Sequence, residues 1–142
     1  MMVSTRGRYA LRVMIDLAEN SGAGYIPMKE VAARQGISLK YLERILPLLT
    51  RSGMIEGVQG KGGGCRLAGD PSDIRVYDVL RLTEEDLAPV ACLAENAGIC
   101  EKQAECRTLP MWQKFNELTR DFFSSITIAD LMKNDPPDMY VI

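Results

Sequence analysis

Three cysteines stand within fifteen positions, Cys92, Cys100 and Cys106 in CLAENAGICEKQAEC, in a chain that contains no histidine. A thiolate can bind a soft metal, join an iron–sulfur cluster, attack a carbonyl carbon or pair in a disulfide. Structural zinc takes four Cys or His ligands grouped in closely spaced pairs, whereas these cysteines are separated by seven residues and then five. A catalytic thiol wants an imidazole to take its proton, and none is present. The start, MMVSTRGRYALRVM, has no apolar run ending at a small-residue cleavage site, and no stretch approaches the roughly 18 apolar residues of a membrane span. We therefore expect a cytoplasmic chain with reduced thiols, which favours metal, cluster or redox-switch chemistry over structural disulfides. The fourth cysteine, Cys65, lies apart and is expected to act as a small buried apolar residue of a strand.

The chain that must position these thiols has 142 residues, 46% of them hydrophobic, enough for one compact core. Its net charge of −2 conceals a division. Residues 1–66 carry 10 Lys/Arg against 5 Asp/Glu, and residues 67–142 carry 7 against 14. A basic half joined to an acidic half suits a nucleic-acid-binding module with a separate regulatory or dimerising segment, because phosphate neutralisation needs cations on one face only.

Apolar residues at Ala10, Val13, Met14, Leu17 and Ala18 predict a first helix, with Ser4 or Thr5 as its cap. In IPMKEVAARQGIS, Pro27 opens a second helix of two turns and Gly36 stops it. A third helix opens at Ser38, with Leu42, Ile45, Leu46 and Leu49 on one side and Lys40, Arg44 and Arg51 on the other. Pro47 removes a backbone donor and predicts a bend, so bases would be read from the first turns. Two short helices joined by a glycine turn, the second with a basic outer face, form a helix-turn-helix. The glycine-rich GMIEGVQGKGGGCRLAG then predicts strands around Ile55 to Gln59 and Cys65 to Leu67, a hairpin wing in which Lys61 and Arg66 flank bare backbone. It lacks the Ser/Thr and spacing of a phosphate-binding loop.

A short helix through Val79 and Leu82 follows, and the cysteine segment reads as a loop. A long helix from Pro110 places Trp112, Phe115, Leu118, Phe122 and Ile126 on one stripe, to be buried in the chain's own core, in a dimer seam, or in both. The tail KNDPPDMYVI cannot continue a helix. The fold class is mainly α: a winged helix-turn-helix with a small β-hairpin wing and a long C-terminal dimerisation helix. Residues 1–82 form the DNA-binding part, 83–108 the cysteine loop, and 109–142 the dimerisation helix and tail. Candidate DNA contacts are Ser38, Lys40, Tyr41, Glu43 and Arg44 on the third helix, with Gln59 and Lys61 on the wing. Of these, Lys40, Tyr41 and Glu43 are placed to read base edges, and Arg44 and Lys61 to hold phosphate.

This order of elements, with STRGRYA, RQGISLKYLERIL, GGG, the three cysteines, MW and SITIADLM, resembles the bacterial winged-helix iron–sulfur regulators of the IscR, NsrR and CymR type, most of all the IscR type. The resemblance covers nearly the whole chain. It implies a non-enzymatic, homodimeric transcription regulator, a repressor, that binds two-fold-related double-stranded DNA. It also implies an iron–sulfur cluster, 2Fe–2S or 4Fe–4S, on Cys92, Cys100 and Cys106. A cluster-free thiol-redox or partner-controlled regulator of the same fold stands as the alternative, and an enzyme or structural module comes third. The chain departs from the pattern at four points: Leu109 replaces the histidine of the IscR type, Arg8 the aspartate of the NsrR type, Gln59 a DNA-reaching arginine, and the first cysteine spacer is two residues longer than is usual in the IscR type. Three thiolates leave a coordination position open. The candidates for it are Glu95, Glu101, Glu105, the hydroxyl of Thr108, or a small external ligand.

Overall fold

A computed structural model describes residues 2–133, and the reading of the tail lies almost wholly outside them. Helix α1 (Thr5–Glu19) starts where the Ser4 hydroxyl accepts the Gly7 N–H at 3.0 Å, and it buries all five predicted apolar positions. Fully burying a side chain the size of Leu17 or Met14 contributes roughly 2 kcal/mol. The same face buries Asp16, whose carboxylate accepts two bonds from the Arg34 guanidinium, at 2.7 and 3.0 Å, and one from Gln35 at 2.9 Å. Hydrogen bonding to Asp16 raises the Arg34 pKa above its ordinary value. This fork fastens α2 (Met28–Gln35) to α1, because two parallel bonds fix orientation as well as distance.

Helix α2 follows Pro27 and ends at Gly36, which is left-handed at φ 65°. Helix α3 (Leu39–Arg51) is capped by the Ser38 hydroxyl, which accepts the Tyr41 N–H at 3.1 Å. Leu42, Ile45 and Leu49 are buried and Leu46 half-buried, as their spacing predicts. The helix continues unbroken past Pro47 for a further turn.

Strands β1 (Ile55–Val58) and β2 (Gly64–Leu67) pair antiparallel in the register Ile55 to Leu67 and Gly57 to Cys65. The first strand stops one residue short of Gln59, because a tight turn closes from Gly60 O to the Gly63 N–H at 3.0 Å. On its other side β2 exchanges two bonds with Ile26, at 2.8 and 2.9 Å, so the wing is anchored to the chain that leads into α2. Gly64 permits that approach: a Cβ there would stand 2.1 Å from the Ile26 carbonyl oxygen. Backbone cannot yield as a side chain can, so Gly64→Ala is expected to lower stability by about 3 kcal/mol. Gly69→Ala, which would meet nothing within 4 Å, is expected to be neutral. Chemical denaturation compares them, and equal stability would refute the anchoring role.

Helix α4 (Val76–Thr83) crosses α1 at Gly7, where a Cβ would be 3.1 Å from the Thr83 hydroxyl. Residues 84–108 are irregular apart from single 3-10 turns at Ala91–Leu93 and Gln103–Glu105. Helix α5 (Leu109–Ser125) returns to α4 through a bridge in which Val76 N–H donates to Ile126 O and Ile128 N–H to Ile74 O. Of the two places expected to bury the apolar stripe of α5, the chain's own core does not close over it: no residue of the helix is fully buried. Trp112 and Phe123 are half-buried, and Ile126, just beyond the helix, is too, but Phe115 is 43% exposed, Leu118 55% and Phe122 58%. Among the described residues, α4 and the cysteine loop lie against α5 and leave the outer part of the stripe uncovered.

Candidate functional site

All seven predicted DNA contacts lie on α3, its cap or the wing. Ser38, Lys40, Glu43, Arg44, Gln59 and Lys61 are exposed. Tyr41 is half-buried, its ring edge-on to Tyr9 at 5.5 Å. That contact holds one of the predicted base readers on the side of α3 nearest α1. Arg66 does not stay available beside the wing. It pairs with Glu56 across the strands at 3.0 Å and lies over the Tyr25 ring at 4.3 Å.

Between the start of α1 and α3 runs a groove of about 470 Å³ lined by Ser4, Arg6, Tyr41, Arg44 and Arg51, among others. It has three guanidinium groups and, among the described residues, no carboxylate on its wall. Arg6 is held there by donating to the Thr83 carbonyl, through Nε at 2.9 Å and through Nη2. Such a groove suits a polyanion. The sequence reading places Arg51 on the basic face of α3 but leaves it out of the DNA contacts. It leaves Arg6 out too, because only the fold brings the N-terminus across α3.

The cysteine segment wraps the first turns of α5. Cys92 and Cys100 are exposed and Cys106 partly so, and all are free thiols. All three line one cavity of about 70 Å³ together with Gln103, Leu109 and Gln113. The Thr108 hydroxyl, 3.6 Å from the Cys106 sulfur, is the main cause that lowers the Cys106 pKa and favours its thiolate. Among the described residues no three His, Cys, Asp or Glu side chains are grouped closely enough to hold a metal ion, so the thiols share a cavity without being closed into a ligand set. Three sulfur donors on one accessible cavity suit a soft-metal or iron–sulfur group by donor chemistry.

The suggested oxygen donors fare differently. Glu95 turns away, with its carboxylate 3.3 Å from Arg81 on α4 and its N–H donating to Asp86 at 3.1 Å. Glu101 and Glu105 do not line the cavity, and Thr108 is engaged with the Cys106 sulfur. Cys65 is buried in the wing, 6% exposed, and burial pushes its thiol pKa up. It plays the apolar part expected of it. One face of α5, one face of α4 and the chain after it enclose a second, polar cavity, which includes Tyr77, Arg81, Asn116 and Arg120. No helix among the described residues is long and apolar enough to cross a membrane.

Comparison with known proteins agrees with this arrangement of a winged helix-turn-helix, a cysteine loop and a long helix. The HTH-type transcriptional regulator IscR of Escherichia coli is 35% identical over 134 residues, which cover 94% of this chain and 82% of that protein. Two solved structures share the fold. CymR (YrzC), the global cysteine regulator of B. subtilis, superposes with a TM-score of 0.80 at 27% identity, covering 96% of this chain and 99% of that one. T. potens IscR gives 0.74 at 30% identity, covering 100% and 93%. Residues 3–134 match the family described as Rrf2, iron-dependent transcriptional regulator, and the chain belongs to that family of DNA-binding transcriptional regulators.

Proposed function

We propose that this regulator is a cytoplasmic homodimer that represses from a two-fold-related operator, and that an iron–sulfur cluster held by Cys92, Cys100 and Cys106 sets its operator affinity. One observation carries the cluster reading: the three cysteines of one loop, and no other cysteine, open onto one cavity at the start of α5. A bound cluster would supply a centre whose oxidation or loss changes the charge and bonding of that loop. The chain's own residues do the rest. The thiolates of Cys92, Cys100 and Cys106 bind, and Thr108 favours the charged form of Cys106. Glu95 ties the loop to Arg81 and Asp86. Just beyond Arg81, the Glu84 carboxylate accepts from the Ser4 N–H and hydroxyl, while the Thr83 carbonyl accepts from Arg6. Ser4 and Arg6 in turn flank the groove beside α3. The cysteine loop is thus linked to the groove beside α3 through Arg81, the last turn of α4 and the bonds of Thr83 and Glu84, a route by which its rearrangement can shift Ser4 and Arg6.

Anaerobic purification followed by iron and acid-labile sulfide analysis tests the cluster. Stoichiometric iron and sulfide are expected, and metal-free protein that forms intramolecular disulfides reversibly would instead favour the thiol-switch reading. On the DNA side, Lys40→Ala and Lys61→Ala should each weaken operator binding, with a steep loss of affinity as salt rises because bound cations leave the DNA. Gel-shift or fluorescence titration at several salt concentrations measures both, and a salt-independent affinity would contradict the assignment.

A further inference from the structure

The cavity that holds the three sulfurs has two unlike walls. The loop supplies Cys92, Cys100, Cys106 and Gln103, whereas α5 supplies Leu109 and, one turn later, Gln113. Residues four apart lie on the same side of a helix, so both α5 side chains face the loop from one direction. Three thiolates do not complete the coordination of a 2Fe–2S or 4Fe–4S core, which takes four terminal donors. Among the described residues, the only other polar side chains on this cavity are the two glutamines.

We propose that Gln113 is the fourth donor, through its side-chain amide oxygen, to the cluster on Cys92, Cys100 and Cys106. This rests on the cluster reading above. Gln113 is favoured over Gln103 by position. Gln103 sits in a turn between two of the thiol ligands, its N–H donating to Cys100 O at 3.1 Å and its carbonyl accepting from the Cys106 N–H at 3.4 Å. That turn must change shape when the thiols converge. Gln113 stands on a regular helix packed against α4, opposite the loop, where a fourth donor is needed to face three that come from the other wall. Leu109, the other α5 residue on this cavity, has no donor atom in its side chain. A neutral amide oxygen is a hard, weak ligand for an iron otherwise bound by sulfur. The iron it holds is therefore the one that exchanges or is lost first.

The full chain is reconstituted anaerobically as wild type, Gln113→Ala, Gln113→His and Gln103→Ala. Iron and sulfide per chain, Mössbauer and pulsed electron paramagnetic resonance spectra, and the rate of iron loss to excess chelator are measured. Gln113 is exposed, so its substitution leaves the core intact. All four proteins should load. Gln113→Ala should alter the signature of one iron and lose iron roughly tenfold faster, in the range that loss of a metal-site partner causes. Gln113→His should restore slow loss and add a nitrogen-ligand coupling, and Gln103→Ala should match wild type. A Gln113→Ala protein with the wild-type spectrum and rate would overturn the assignment alone and point to an external ligand. A change in Gln103→Ala instead would move the donor to the loop. Wild-type protein without iron and sulfide would overturn the cluster reading itself, and this proposal with it.

Discussion

Cys92→Ser, Cys100→Ser and Cys106→Ser are each expected to abolish the visible absorbance of the reconstituted protein, whereas Cys65→Ser should retain it in full. Serine keeps the size of the side chain but replaces a soft, readily ionised thiol by a hydroxyl that stays protonated and binds iron poorly. The three loop sulfurs share one cavity, so removing any of them leaves two thiolates, too few to hold a cluster. Cys65 is separated from them by the fold: it pairs in register with Gly57 in the wing and bridges to Ile26, with its sulfur buried. Its replacement should cost about 1 kcal/mol in stability, the penalty for a buried hydroxyl with a poor partner, and nothing in cluster content. Operator affinity of the three loop variants should equal that of cluster-free wild type, which separates loss of the cluster from damage to α3. Absorbance retained in the loop variants and lost in Cys65→Ser would move the site to the wing, and absorbance retained in a single loop variant would strike that cysteine from the ligand set.

Much of this molecule is legible in the residue order because its signals are local. Ser4 or Thr5 is read as a cap, Ser38 as the start of a helix, Pro27 and Gly36 as helix limits, and the hairpin as a wing, since each depends on backbone groups a few residues away. Cys65 is read as buried from strand alternation and from the resemblance, in which an aromatic usually stands at its position. What needs the fold is whatever depends on a partner distant in sequence. Asp16 looks like a surface acid until Arg34 and Gln35 arrive on it from α2. Arg6 looks like part of a loose N-terminus until the Thr83 carbonyl pins it above α3. Glu95 looks like a spare ligand in a cysteine loop until Arg81 claims it. Gln113 gives no signal in a sequence, because an unremarkable amide acquires meaning only from the cavity it faces. The stripe on α5 is the instructive case. Periodicity finds its apolar residues but is silent on what covers them.

Leu118→Asp combined with Phe122→Asp is expected to convert the protein to a monomer and to lower operator affinity about thousandfold, the scale on which two linked reading heads exceed one. At about 100° per residue, Met111, Phe115, Leu118 and Phe122 fall within roughly 60° of one another on α5. Their spacing of four, three and four residues is that of a seam between paired helices. All four are 43 to 58% exposed in the single chain, a continuous apolar strip that water would otherwise meet. Trp112, Asn116, Thr119 and Phe123 share the adjacent face, where Asn116, Thr119 and Phe123 line the polar cavity against α4. Leu109 and Gln113 turn to the cysteines, roughly opposite the strip by the same helical geometry. A second copy can therefore occupy the strip without touching either neighbour. In a two-fold seam the double substitution places four carboxylates in apolar surroundings, and unpaired buried charge costs several kcal/mol per group. Glu117→Ala, exposed on the same helix, should leave the dimer intact. Light scattering reports the mass and titration of an operator the affinity. Because the cysteine cavity lies away from the strip, the monomeric variant should still take up iron and sulfide in full. A double variant that stays dimeric would show that the strip is not the seam, and one that becomes monomeric and loses its cluster would show that the two faces of α5 are not independent.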